Sequence, residues 1–549
     1  MESISRRSFF QGAAAAAGAM AVSGAACAVA DEAADTNGYW SWEVQPEPIT
    51  DIAETVDTEI VVVGAGMAGM NTASAAAYNG AKVVVLERTD SYQVRGADNG
   101  AIGTKFWAAE GIDFTPAEIC KYSAQWNAMQ INQNLFRIWA YKSGEVFDDL
   151  IDLMEENGCK VVRGTGTRGD LEDAEIFYRQ YPTAHSWTYA DTENASMMLP
   201  DGRWANNLVG DALMKQALEN GAEFVYNCLA QQLMKDETGR ITGVIALNED
   251  GNYVQYNAST AVVLCTGDIS GSTEMLEAFS PLTLRADAVA YTPAGANDGT
   301  GHRMAVWAGA AFQHGPAGPM IHAVGGQVLC QKDIGWLMVN RDGKRFTNEV
   351  PNEVATSNAR MMQPGGKAWS IFDGAYEEKI QTMMGGDSSN WGSVIDDTTA
   401  ESMETEIEYG TMWRADTLEE LAAQIGIEDV DQFLATVARY NELCAAGFDA
   451  DYLKDEKWMA SSIETPPFYA SSVPAIPLTV PFGLNCNDQL QVCDADDNPL
   501  PGLYAAGNTC GNFFADDYPL LTPGISHGRA ITFGRVLGAA LAKGEKITL

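Results

Sequence analysis

Near the amino terminus of this chain, three glycines and one acid have the types and spacing of a nucleotide site. In "TEIVVVGAGMAGMNTASAAAYNGAKVVVLER" they are Gly64, Gly66, Gly69 and Glu87. Gly64 permits a tight turn, Gly66 lets the backbone approach a pyrophosphate, and Gly69 lets a helix pack closely on a strand. Glu87 stands 23 residues after Gly64, where a carboxylate can accept hydrogen bonds from both ribose hydroxyls. The elements that must position them are legible in order. Ile60–Val63 is the continuous apolar run of a buried parallel strand. A helix rich in Ala, Ser and Thr follows and stops at "NG" (79–80), and Lys82–Leu86 is the second strand. Such a β-α-β unit takes FAD or NAD. A terminal carboxylate disfavours NADP, because it would repel the 2′-phosphate.

Further along, other segments select FAD. "ASTAVVLCTGDISGS" (258–272) is an apolar strand running into Thr266, Gly267 and Asp268. "PLPGLYAAGNTCGNFF" (499–514) is another strand segment, ending in Gly507 and Asn508. "TPGISHGRAITFGRVLGAALAKG" (522–544) opens on a glycine turn and continues as a small-residue helix. The amino terminus of that helix can aim backbone N–H groups at an anionic flavin ring.

The whole chain has 549 residues, 46% of them hydrophobic, which is ample for two or more domains. A net charge of -40 excludes nucleic acid and anionic lipid as natural partners and leaves a solvated acidic surface or a dock for a basic electron carrier. Ten cysteines are scattered without a CxxC or CxxCH pattern, which argues against a disulfide framework or covalent haem. Cys265 reads as a core residue, and no metal site is expected. The first thirty residues read as a leader: Arg6 and Arg7, then Phe9 and Phe10, an alanine-rich stretch of weak hydrophobicity, and "AVA" (28–30) as a cleavage site. Paired arginines with weak hydrophobicity point to the twin-arginine translocase, which carries proteins already folded around their cofactors. An extracytoplasmic location follows.

The motifs "VVVGAGMAGM", "AVVLCTGD", "NDGTGHRMAVWAGA" (297–310), "LMVNRDGKRFTNE" (337–349), "TPPFYA" (465–470), "LPGLYAAGN" and "AITFGRVLGAALA" together resemble the flavoprotein family of fumarate reductases, succinate dehydrogenases, urocanate reductases and 3-ketosteroid dehydrogenases, over roughly 58–549. The resemblance implies an α/β fold, with a Rossmann-like FAD-binding domain and an inserted α+β capping domain. The expected boundaries are a leader at 1–30, a linker at 31–55, the FAD-binding domain at 56–290 and 473–549, and the cap at 291–472. The implied FAD contacts are Gly64, Gly66, Met67, Ala68, Gly69, Glu87, Arg88, Asn99, Gly100, Ala230, Thr266, Gly267, Asp298, Gly507, Asn508, Gly524, Ile525 and Ser526.

The departures from that family bear on the substrate. Where the fumarate reductases carry an arginine acid, this chain has Glu353; where they carry an arginine before the last glycine turn, it has Leu521. Their His-Pro-Thr element is replaced by "QHGPAG" (313–318). Without these groups a C4-dicarboxylate would lose its bidentate partners. In "FFADDYPLLTPGISHGR" (513–529), Tyr518 before Pro519 is similar to the Tyr-Pro element of the ketosteroid dehydrogenases, with a longer spacing to the glycine turn. A tyrosine can protonate the carbon next to a carbonyl if a neighbouring cation lowers its pKa, and Arg529 or His527 could supply that cation or bind the carbonyl. The catalytic candidates are thus Tyr518, Arg529, His527 and Glu353. Their structural alternatives are a packed aromatic for Tyr518, a helix-surface or flavin-packing role for His527, and a salt bridge from Arg529 to Asp516 or Asp517. His314 and His322 are further residues that could line the site, and the aromatic run 163–191 could shape a lid. The expected activity is hydride transfer from reduced flavin to the activated C=C bond of an enoate or enone, with electrons from a separate cytochrome or flavoprotein. The alternatives are a ketosteroid-type dehydrogenase or oxidase, and an electron carrier with no substrate.

Overall fold

Runs of Val, Ile and Ala pair most readily with one another when both faces of the sheet are covered, and the first strand shows this directly. Ile52–Val63 lies between Val83–Leu86 and Tyr253–Leu264, parallel to both, with Val61 opposite Val84 on one side and Val262 on the other. Ile60, Val61 and Val62 are fully buried. In this computed structural model the described residues are 40–164, 180–192, 197–287, 296–322, 335–350, 353–383 and 400–549. The leader (1–30), the first part of the predicted linker (31–39) and the centre of the 163–191 run lie outside them.

The strand is the middle of an eight-stranded sheet. Its order runs Gln491–Cys493, Pro499–Ala505, Tyr253–Leu264, Ile52–Val63, Val83–Leu86, Glu223–Val225, with the hairpin Leu229–Lys235 and Ile241–Leu247 joined to the long 253–264 strand. The centre is parallel and the outer hairpins antiparallel. The sheet is therefore Rossmann-like, and both ends of the chain build it. Residues 52–55, read as linker from the sequence, already belong to its first strand, and Trp42 packs between Phe279 and Phe312.

Two helices made of small residues lie together over the sheet: Met67–Tyr78 and the last helix, Ile525–Lys543. Their backbones touch. A Cβ on Gly534 would lie 2.6 Å from the Ala68 carbonyl oxygen, and one on Gly538 would lie 2.4 Å from that of Thr72. The amino-terminal glycine turn and the carboxy-terminal helix are thereby held in one rigid unit.

The α+β cap is a four-stranded antiparallel sheet, ordered Leu337–Asn340, Ala368–Asp373, Phe468–Ser472, Met412–Ala415, with helices Leu418–Ile425 and Val430–Ala446 against it. All of it falls within 291–472. The "LMVNRDGKRFTNE" motif serves this cap. Arg345 donates to Glu349 (2.7 and 2.8 Å) and to Asp449 (3.0 and 2.7 Å), and fully buried Lys454 lies 3.4 Å from Glu349 while donating to Tyr440 and the Gly335 carbonyl. Two cations thus balance two carboxylates in the interior. Removing one leaves a buried charge unpaired, so Lys454→Met is expected to lower cap stability by about 3–5 kcal/mol. A shift of the denaturation midpoint with the flavin spectrum retained would show it.

Candidate active site

The glycine turn is built so that its backbone faces outward at one point. Gly64 has φ +101°, and its Cβ would lie 2.5 Å from the Cys265 carbonyl oxygen; a Cβ on Gly69 would lie 1.8 Å from the oxygen of Gly64. These two glycines are demanded by the protein itself. Gly66 is different: its Cβ would meet only the Gln93 carbonyl oxygen, at 3.8 Å. The space above it fits a pyrophosphate, with the amino terminus of helix Met67–Tyr78 behind it. Met67 and Ala68 are buried in that first turn.

Glu87 ends its strand as predicted. One carboxylate oxygen accepts from the Ala65 N–H (2.8 Å), the other from the Thr89 N–H (2.9 Å) and hydroxyl (2.8 Å). This fixes the carboxylate while leaving lone pairs for ribose hydroxyls. Arg88 and Asp298 meet as a 3.1 Å ion pair, with Asp298 also accepting from the Thr300 N–H and hydroxyl. Ala230 lies buried on its hairpin strand, opposite Ala246.

A second cradle joins residues 99–100 to the last helix. Gly100 N–H donates to the Gly524 oxygen (2.7 Å), and its own oxygen accepts from Trp139 Nε1–H (2.9 Å). A Cβ on Gly528 would lie 1.7 Å from the Gly100 oxygen. Asn99 donates to Ala97, His185 and Asn206, while its Oδ1 is buried without a partner and is available to a ligand donor. Ile525 N–H is spent on the Thr522 oxygen (3.2 Å). Together the outward Gly66 backbone, the oriented Glu87 and the unpartnered Asn99 oxygen fit the polar groups of a dinucleotide such as FAD.

Asn508 ties the remaining predicted contacts together. Its amide donates to Thr479 Oγ1 (2.7 Å), and its Oδ1 accepts from the Ser526 hydroxyl (3.3 Å) and from Arg529 Nη2. Thr479 in turn donates to Asp268, and Thr509 donates to the Gly267 oxygen (3.0 Å), with Thr266 3.3 Å from Thr509. Gly507 sits against Ala68, where a Cβ would be 2.8 Å away. Thr479 belongs to no recognisable motif. Only the tertiary fold brings it to the site, and no sequence signal could have found it.

The catalytic candidates separate clearly. Tyr518 is buried beside Phe514 (ring centroids 5.0 Å), and its hydroxyl oxygen accepts the Ser526 N–H at 2.9 Å. Among the described residues only Ser526, through its N–H and its side chain, meets the hydroxyl. Burial pushes the Tyr518 hydroxyl up to about 12; the Ser526 N–H and Arg529 oppose the rise without reversing it. The expected cation-lowered tyrosine is therefore corrected: desolvation outweighs the cation. Arg529, 1% exposed, lies over the rings of Phe513 and Phe514 (4.8 and 4.7 Å) and donates to Asn508 and the Cys510 oxygen. Its hydrogen bonds go to these groups rather than to Asp516, which accepts from Gln130, or Asp517, which accepts from Trp126. Burial lowers its pKa to about 10. His527 packs on Gly96, with Nδ1 3.0 Å from the Asp98 oxygen, and burial lowers its pKa too. Glu353 opens the helix Glu353–Met361, and its side chain lies outside the described residues. His314 forms a 2.8 Å contact with Asp497 at the surface, and His322 lies on a short strand beside Ile476.

Two of the positions where the chain departs from the fumarate reductases lie among the described side chains. Leu521 is buried, and its oxygen accepts from Tyr181. Gln313 of "QHGPAG" spends its amide on Gly315 and Pro316 and its oxygen on Gly483 and Asn512. Sequence reading named Asp517, next to Tyr518, only as a possible salt-bridge partner of Arg529. Burial pushes its carboxyl up to about 6, against the Tyr518 N–H (2.9 Å) and Trp126 Nε1–H (3.2 Å) it accepts. A raised carboxyl pKa favours the native state while protonated, and this stability is lost as pH rises from about 4 through about 6. Thermal melts at pH 5 and pH 7 should therefore differ more for the wild type than for Asp517→Asn.

Comparison with known proteins agrees with this geometry. The profile of the FAD binding domain family matches residues 59–520. The chain is 25% identical over 505 residues to a probable fumarate reductase of Shewanella frigidimarina, covering 88% of this chain and 75% of the relative. It is 25% identical over 517 residues to the vinyl phenol reductase of Lactiplantibacillus plantarum, covering 88% and 96%. The solved 3-ketosteroid-delta4-(5alpha)-dehydrogenase of Rhodococcus jostii RHA1 superposes with a TM-score of 0.68 at 21% identity, over 91% of this chain and all of that one, a likeness of fold. With a glycine turn, a strand-end carboxylate and a two-ended sheet in place, and a family profile spanning most of its length, the chain belongs to the FAD binding domain family and is an FAD-dependent oxidoreductase.

Proposed function

We propose that this protein reduces the activated C=C bond of an enoate or enone that is not a C4-dicarboxylate. The observation that carries the reading is the buried Tyr518 hydroxyl, whose oxygen accepts the Ser526 N–H, and which stays protonated at neutral pH. Bound reduced FAD supplies a hydride to the β-carbon of the substrate. Tyr518 donates its proton to the α-carbon, and the tyrosinate regains a proton from solvent, so two electrons and two protons are added overall. Its raised pKa keeps the hydroxyl protonated at neutral pH. Arg529 is a positioning residue that holds Asn508 and the Phe513–Phe514 floor. The cap, by closing, keeps water from the hydride path.

Leu521 and the neutral Gln313 support the exclusion of a dicarboxylate, and so does the likeness to a vinyl phenol reductase, a relative named for a substrate with no carboxylate. The leader motif supports export by the twin-arginine route, with electrons from a separate cytochrome or flavoprotein and a role in anaerobic respiration. No helix among the described residues is long and apolar enough to cross a membrane.

The test is anaerobic. The purified protein is reduced with dithionite, and flavin absorbance is followed while enoates and enones are added, fumarate among them. Rapid reoxidation by a non-dicarboxylic acceptor is expected. Reoxidation by fumarate alone, or by oxygen alone, overturns the reading.

A further inference from the structure

Where the cap joins the sheet, the two crossing segments bond to each other. Asp287 N–H donates to the Ala475 oxygen and Ala475 N–H donates to the Asp287 carboxylate, both at 2.9 Å. Beside this junction lies a crevice of about 310 Å³, away from Tyr518 and Asn508, lined by Asp287, Arg360, Lys367, Trp369, Trp413 and Pro474 among others.

Its charge is unusual for so acidic a chain. Arg360 is 2% exposed, and one nitrogen donates to Asp287 at 2.7 Å. Its Nε and Nη1 are buried without a hydrogen-bond partner among the described residues. A buried guanidinium with unmade hydrogen bonds costs stability unless something accepts them. Lys367 reaches the same carboxylate at 2.8 Å from the solvent side, and Arg285 lies against Gly366, donating to the Gln363 oxygen at 2.6 Å. Two cations thus meet one carboxylate, with Arg285 near Arg360, leaving about one positive charge unbalanced at the carboxylate in a chain of net charge -40. Two indole rings complete the wall.

We propose that this crevice binds a small oxyanion, a carboxylate or a phosphate, which Arg360 and Lys367 hold at the cap junction. Steering into it is local, because the surrounding negative field repels anions elsewhere. The tryptophans favour a planar aromatic carboxylate over inorganic phosphate. The site stands apart from the reduction proposed above and does not depend on it.

Calorimetric titration of the FAD-loaded protein with benzoate, and separately with inorganic phosphate, tests this at fixed ionic strength. Saturable binding of at least one anion is expected. Binding of benzoate alone identifies an organic carboxylate site, and binding of phosphate alone identifies an inorganic one. Lys367→Gln, at an exposed position, should weaken binding by about tenfold, the worth of one charged hydrogen bond, and Arg360→Gln should abolish it. If Arg360→Gln does not fold, Lys367→Gln decides alone. Unchanged affinity in Lys367→Gln, or no binding of either anion, overturns the proposal.

Discussion

Gly66→Ala is expected to fold normally and bind FAD about 100-fold more weakly, whereas Gly69→Ala should fail to fold at all. The two positions lie three residues apart in one motif, yet different forces demand their glycines. At Gly69 an added Cβ would lie 1.8 Å from the Gly64 oxygen and 3.0 Å from its carbonyl carbon. Both are backbone atoms, and Gly64 is itself pinned by φ +101° and by Cys265 behind it. Nothing there can rotate away, so the helix must leave the sheet at a cost above the ~1–3 kcal/mol of ordinary overpacking. At Gly66 the helix cap has ordinary extended angles (φ −78°, ψ −172°), and an added Cβ meets only the Gln93 oxygen at 3.8 Å. The protein tolerates alanine; the pyrophosphate does not. Losing one or two charge-assisted hydrogen bonds predicts FAD binding weaker by about 100-fold. Apoprotein melting and FAD titration together separate the outcomes, and equal behaviour of the two variants would refute the assignment of roles.

The same contrast shows which parts of the fold were legible in the sequence. Strand, glycines, helix, strand and acid could be read because each is a local rule: Ile60–Val63 must be buried, and Glu87 must follow its strand. The helix Ile525–Lys543 was visible in its small residues, though not its reason, which is backbone contact of Gly534 and Gly538 with the first helix. The extension of the first strand to Ile52 was missed because Ala53, Glu54 and Thr55 are exposed there and carry no apolar signal. The polar chain from Asp268 through Thr479 and Asn508 to Arg529 could not be read, since its members lie on four segments far apart in sequence. The tyrosine's environment was misjudged for a related reason. Sequence shows which cation is near Tyr518, but not how completely the site is desolvated.

Tyr518→Phe should lower the rate of substrate reduction by about 10²–10⁴-fold, the usual worth of a positioned general acid, while leaving FAD binding and reduction by dithionite intact. The ring keeps its packing on Phe514, so the substitution removes little besides the hydroxyl. One secondary cost is expected: the Ser526 N–H loses its acceptor, worth about 1–3 kcal/mol of stability if no water replaces it. The neighbouring Asp517 offers a second acid, and the pH dependence separates the two. A donor must be protonated to act, so its rate falls as pH rises through its pKa. With Tyr518 as donor, that fall comes only near pH 12, and single-turnover reoxidation should be flat on the alkaline side of neutrality. With Asp517 as donor, the rate should already fall above about pH 6, and Asp517→Asn would be the slower variant. Geometry favours the tyrosine, because the Asp517 oxygens are turned toward Trp126 and its own following N–H, whereas the Tyr518 hydroxyl stands at the head of the last helix. A Tyr518→Phe enzyme that reoxidises at the wild-type rate, with its profile falling above pH 6, would transfer the role to Asp517.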